Sequence, residues 1–151
     1  MKQVGDKVND LLGKDAEGKE IRLSDYPDKE IALYFYPKDN TPGCTAQACS
    51  LRDSYEDLLK AGYQVIGVSV DSPASHKKFI EKFSLPFPLI SDVDHSLVEE
   101  MGVWGEKKLA GRTYKGTLRT TFIIGKDGVI KKVFTPKEVK TKIHAEQLLN
   151  A

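Results

Sequence analysis

The sequence predicts an α/β protein: a mixed β-sheet flanked by helices, with a small hairpin at its N-terminal end. Three observations carry that reading. Two continuous apolar runs, Ile31 to Tyr36 and Tyr63 to Val70, have the composition of strands buried on both faces. Each is followed by apolar residues at spacings of three and four, the mark of a helix face. Two further strand-like runs, Arg119 to Ile124 and Val129 to Phe134, flank Gly125-Lys126-Asp127-Gly128, a hairpin loop with turn chemistry.

In chain order, Ile21-Arg22-Leu23 follows the turn-like Asp15-Ala16-Glu17-Gly18 and reads as the return arm of the N-terminal hairpin. The first buried run is closed by Pro37. A helix then presents Ala48, Leu51, Tyr55, Leu58 and Leu59 on one face, with Gly62 as its stop. The second run leads through Asp71 into Ser72-Pro73, an N-cap followed by proline at the first helical position. That helix carries Phe79, Ile80 and Phe83 until Leu85-Pro86-Phe87-Pro88 breaks it. Phe87 to Ile90 reads as a short strand, and Ser96 to Met101 as a short helix ended by Gly102. Val103 to Gly116 reads as irregular. Val139, Ile143, Ala145, Leu148 and Leu149 mark an amphipathic C-terminal helix. Two βα units, an antiparallel hairpin and a closing helix satisfy a thioredoxin-like layout. A flavodoxin-like sheet would want more parallel units.

The 151 residues suit one domain, 1–151, with no repeat, low-complexity tract or linker to divide them. Net charge is +1, which removes the electrostatic argument for nucleic acid or for a polybasic membrane anchor. No apolar stretch approaches the ~18–20 residues that span a bilayer. Met1 to Lys7 lacks an apolar run behind its lysine, so no secretory signal is expected and the cytoplasm is the default. Two cysteines cannot staple a secreted mini-domain, which points to a chemical use for them.

The informative stretch runs from Tyr34 to Asp53. A buried strand ends at Pro37, and a loop delivers Thr41 and Cys44 to a helix start. Free backbone N–H groups and the positive end of the helix dipole favour a thiolate there. Ligands of open α/β sheets also gather at the carboxyl ends of strands, where this loop falls. Cys49 lies five residues on. If both cysteines are helical, their Cα atoms are ~8.5–9 Å apart, beyond the ~7 Å that a disulfide spans without backbone movement. The two can join only if the helix start unwinds.

This segment resembles the peroxiredoxin active site, Pro-x-x-x-Thr/Ser-x-x-Cys, at Pro37, Thr41 and Cys44. Its surroundings and the offset to Cys49 resemble the bacterioferritin-comigratory, or Q-type, subgroup. The resemblance extends through Gly67 to Ser72, Phe87 to Asp92 and Arg119 to Phe122. It implies a thioredoxin fold and a thiol peroxidase that needs no cofactor and no metal. Cys44 would attack hydrogen peroxide or an alkyl hydroperoxide and become a sulfenic acid. Thr41 would bond the thiolate and one peroxide oxygen, Arg119 would stabilise developing negative charge, and Pro37 would shield the pocket. Cys49 would resolve the sulfenic acid to a disulfide, which a thioredoxin-like or glutaredoxin-like dithiol would reduce. The subgroup resemblance also implies a monomer.

Plainer readings stand beside these. Cys44 and Cys49 could be packing residues, Thr41 only an N-cap, Pro37 only a strand terminator. Arg119 has rivals in Arg22, Arg52 and Arg112, and Gln47 either orients groups or is solvated. His76, His95 and His144 read as solvated surface residues. Trp104 either covers the pocket or anchors its loop. The absence of a Cys-x-x-Cys pair argues against a disulfide oxidoreductase, and a redox-sensing module would oxidise once without turnover.

Overall fold

The computed structural model describes residues 1–151. Strands β1 (Leu11–Lys14) and β2 (Glu20–Arg22) form the N-terminal antiparallel hairpin. The central sheet combines β3 (Glu30–Phe35), β4 (Tyr63–Ser69), β5 (Leu89–Ser91), β8 (Thr120–Ile124) and β9 (Ile130–Phe134) in the order β5-β4-β3-β8-β9. The pairs β3/β4 and β4/β5 are parallel, whereas β3/β8 and β8/β9 are antiparallel, which is the mixed sheet expected. Helices α1 (Pro42–Asp53), α2 (Tyr55–Lys60), α3 (Pro73–Phe83), α4 (Ser96–Glu100) and α5 (His144–Leu149) flank it.

Alternation along β3 divides the core in two, because successive strand side chains leave on opposite faces. Ile31, Leu33 and Phe35 pack with Leu12 and Ile21 of the hairpin and with Leu97 and Val98 of α4. Ala32, Tyr34 and Tyr36 pack with Cys44, Ala48 and Leu51 of α1, Leu58 of α2, Phe79 of α3 and Leu148 of α5. The face under α1 is therefore both a hydrophobic core and the floor beneath a cysteine. Gly67 makes that floor possible: a Cβ there would stand 2.9 Å from the Tyr34 ring and 2.6 Å from Leu89.

Four expectations need correction. The helix expected through Leu59 is broken at Ser54, whose φ of −110° and ψ of 14° leave the helical region. Serine is a poor interior residue because its side chain competes for backbone groups. The segment 103–116 is not irregular. Trp104–Leu109 (β6) and Arg112–Thr117 (β7) form a two-stranded hairpin closed by Ala110 and Gly111, both at positive φ. Its mostly exposed residues gave no apolar alternation to read. The C-terminal helix begins only at His144 after a 3-10 turn at Thr141–Ile143, and Val139 packs from the loop before it. Gln147 holds that loop, accepting from Lys140 N and donating to Glu138 O. Finally, His76 and His144 are fully buried, each with partners on both ring nitrogens, and His95 is half-buried against Trp104 at 4.3 Å.

Candidate active site

The site is assembled where β3 ends. Tyr36 completes the strand's buried face, Pro37 turns the chain away, and Thr41 becomes the N-cap of α1 with an extended backbone (φ −94°, ψ 157°). Pro42 takes the first helical position, which needs no N–H. Cys44 is therefore the third residue of the helix, in its first turn, and is buried at 1% exposure.

Arg119, in the residue before β8, reaches this helix start from the neighbouring strand. Its Nη2 is 3.4 Å from Cys44 Sγ, and its Nη1 donates to Gln47 Oε1 at 2.7 Å. The planar fork thus spans the cysteine and the residue one turn further along. Gln47 is fully buried, which decides between its two readings: it orients the guanidinium. Gly43 leaves room for the fork, since a Cβ at that position would lie 3.2 Å from Nη2. A fixed cation thus stands beside the Cys44 sulfur, where it can stabilise negative charge.

Thr41 makes no side-chain cap. Its hydroxyl donates instead to the Lys38 carbonyl at 2.9 Å. A hydroxyl has one proton, so in this conformation Thr41 can only accept from a further partner, not bond both thiolate and peroxide as donor. Cys49 is half-buried on the same helix, and both thiols are free. The helix keeps them apart. Pro37 is half-buried at the strand end.

Three groups around the site carry shifted protonation. Tyr34 has no hydrogen-bond partner for its buried hydroxyl. Burial, then the Cys44 and Asp39 charges, hold its pKa well above 10.0, so the phenol stays neutral. Lys107 of β6 donates to Thr117 O at 3.1 Å. Its pKa falls below 10.5 through burial and the Arg119 charge, with Cys44 opposing. The His144 pKa falls below 6.5, chiefly by burial. Sequence reasoning missed Gly43, Lys107 and the buried histidines. The glycine's signal, a small residue beside a crowded helix start, was there to be read. The lysine sits in the hairpin taken for a loop.

Asp39, Asp71 and His76 place metal-ligating atoms within 4.8 Å of one another. Hydrogen bonds within the protein already engage Asp39 Oδ2, Asp71 Oδ2 and His76 Nδ1, so the cluster is a polar knot.

Fold and site together set a buried cysteine, with a guanidinium beside it, at a helix start on a mixed sheet. The chain belongs to the AhpC/TSA family, whose model matches residues 4–133. Among its relatives it is 46% identical over 148 residues to peroxiredoxin Bcp of Escherichia coli K12, covering 95% of this chain and 94% of the relative. It is also 46% identical over 147 residues to peroxiredoxin Bcp of Bacillus subtilis 168, covering 97% and 92%. Among solved structures it is similar to the bacterioferritin comigratory protein of Xanthomonas campestris (TM-score 0.88, 31% identity, 99% and 95% covered). A cysteine-to-serine mutant of Xylella fastidiosa PrxQ is similar to the same degree (TM-score 0.88, 35% identity, 99% and 94% covered). These relatives make the chain a thiol-dependent peroxidase of the peroxiredoxin class with the thioredoxin-like fold. No helix is long and apolar enough to cross a membrane.

Proposed function

We propose that Cys44 is the peroxidatic cysteine and Cys49 the resolving one, acting on hydrogen peroxide and alkyl hydroperoxides. The observation that carries this reading is the Arg119 guanidinium 3.4 Å from Cys44 Sγ in the first turn of a helix. The Cys44 thiolate attacks the terminal peroxide oxygen. An S–O bond forms, the O–O bond breaks, and the departing hydroxide or alkoxide takes up a proton. Arg119, held by Gln47, stabilises the charge as it moves, and the Cys44 backbone N–H aids it. Thr41 accepts from the peroxide O–H, and Pro37 shapes the rim. The Xanthomonas campestris relative, studied for its alkyl peroxide reduction activity, supports alkyl hydroperoxides as substrates.

In the second half of the cycle Cys49 attacks the sulfenic sulfur, water leaves, and an intramolecular disulfide forms. The first turns of α1 unwind to allow it, because the helix holds the two Cα atoms ~8.5–9 Å apart. A thioredoxin-like or glutaredoxin-like dithiol then reduces the disulfide by exchange. The reading takes residues 1–151 as one functional domain working as a cytoplasmic monomer.

The test compares two variants. Cys44→Ser abolishes peroxide turnover. Cys49→Ser retains one rapid oxidation per chain, seen as one added oxygen in intact mass, and loses recycling. Retained multiple turnover in Cys44→Ser overturns the assignment.

A further inference from the structure

One peptide unit lies between the polar knot and the threonine. The Lys38–Asp39 peptide donates its N–H to Asp71 Oδ2 at 2.8 Å, and its carbonyl accepts from Thr41 Oγ1 at 2.9 Å. Whatever turns that peptide turns the threonine hydroxyl. Asp71 Oδ2 is itself fixed by the Ser69 hydroxyl at 2.7 Å, at the end of β4.

The other half of the knot grips Asp39 by its side chain. The carboxylate accepts from Tyr36 OH at 2.6 Å and Ser75 Oγ at 2.8 Å, and it faces His76 Nδ1 at 2.7 Å. His76 Nε2 faces Ile90 O at 2.9 Å, and a carbonyl can only accept, so Nε2 carries a proton. The short loop between β3 and α1 is thereby braced within itself by Tyr36 and tied to the end of β4, to β5 and to α3 at once. Asp39 is 7% exposed and His76 0%. Burying such groups is an expensive way to hold a loop, since apolar packing stabilises as well or better. What polar bonds add is orientation, and here they converge on one peptide.

We infer that Asp71, backed by Asp39 and His76, is a positioning residue for the peroxide reaction. It fixes the Lys38–Asp39 peptide and so holds Thr41 as an acceptor-only hydroxyl. A threonine freed from Lys38 could turn its proton to the Cys44 sulfur and damp its attack. It would also lose its aim at the peroxide O–H. The inference rests on Cys44 and Thr41 acting as proposed above.

The experiment uses the full chain carrying Cys49→Ser, so that only the first oxidation is read, by quenched-flow intact mass with hydrogen peroxide. Asp71→Ala slows that step about tenfold or more, the scale on which small misplacements of reacting groups act. Asp71→Asn, whose amide oxygen can still accept from Ser69 and the peptide N–H, recovers the rate to within about threefold. On a Thr41→Val background Asp71→Ala costs less than about twofold, because the group it positions is gone. A rate for Asp71→Ala within twofold of the parent overturns the inference. So does an equal loss on both backgrounds, which is what general loosening of the fold produces. Should Asp71→Ala not fold, His76→Gln stands in with the same thresholds: it keeps a donor for Ile90 O and loses the bond to Asp39. A parent no faster than a free thiol overturns the assignment of Cys44 and this inference with it, and is distinct from either failure above.

Discussion

At Arg119, one guanidinium serves two partners, and that constrains every residue around it. Lysine keeps the charge but not the fork, so it cannot reach Gln47 Oε1 and Cys44 Sγ together. Arg119→Lys is expected to slow peroxide oxidation by about 100–1000-fold, the range found when one preorganised transition-state donor is lost. Stopped-flow kinetics with Cys49→Ser checks it, and a loss under threefold removes the arginine from the reaction. Cys44, Thr41 and Pro37 stand out in the sequence through a spacing that ends at a helix start, whereas Arg119 enters only through the family resemblance. Gln47 was only half legible. Its position three residues beyond Cys44 puts it on the same helical face, but nothing in a sequence says that an arginine 72 residues away arrives there. The buried histidines were illegible for a related reason: His76 is surrounded in sequence by Ser75, Lys77 and Lys78, while its partners are Asp39 and Ile90.

Among the elements, the central strands were readable because burial on both faces leaves nothing but apolar residues. The β6–β7 hairpin was not, since most of its residues are exposed and its turn is Ala110-Gly111 rather than a stronger signal. Helix α1 is the element on which the proposed cycle depends. Amide hydrogen exchange should show Cys44 to Leu51 protected in the reduced protein and rapidly exchanging in the disulfide form. Equal protection in both forms would contradict unwinding. Gly67 on β4 offers a second test. Gly67→Ala should lower stability by roughly 1–3 kcal/mol through overpacking against Tyr34 and Leu89, read from denaturant melts.

For the molecule as a whole, pH acts through α5. His144 Nδ1 faces Gln147 Oε1, and its Nε2 faces Thr121 Oγ1, both at 2.8 Å. The amide oxygen accepts and the hydroxyl can donate, an arrangement that suits the neutral ring. Burial lowers its pKa, Arg119 lowers it further, and the Gln147 bond works against both. The unfolded chain therefore binds this proton more tightly, and stability rises with pH. The contribution is whole above the ordinary 6.5 and drains away as pH falls below it. Thermal melts from pH 8 to pH 5 should show a decline that His144→Asn flattens. A slope unchanged by the substitution would place the acid sensitivity elsewhere.

The two-sided core has one more consequence. Cys44, Ala48 and Leu51 belong to the same buried cluster, so in the proposed cycle the packing that stabilises the protein also opposes the unwinding that would let Cys49 arrive. Stability under α1 is thus a clock on the sulfenic acid. While it runs, a second peroxide can carry the sulfur on to the sulfinic state, from which Cys49 cannot retrieve it. Variants that tighten α1 against the sheet should melt later and yet be inactivated at lower peroxide doses. A protein hardened against heat in this helix becomes more vulnerable to the oxidant it consumes.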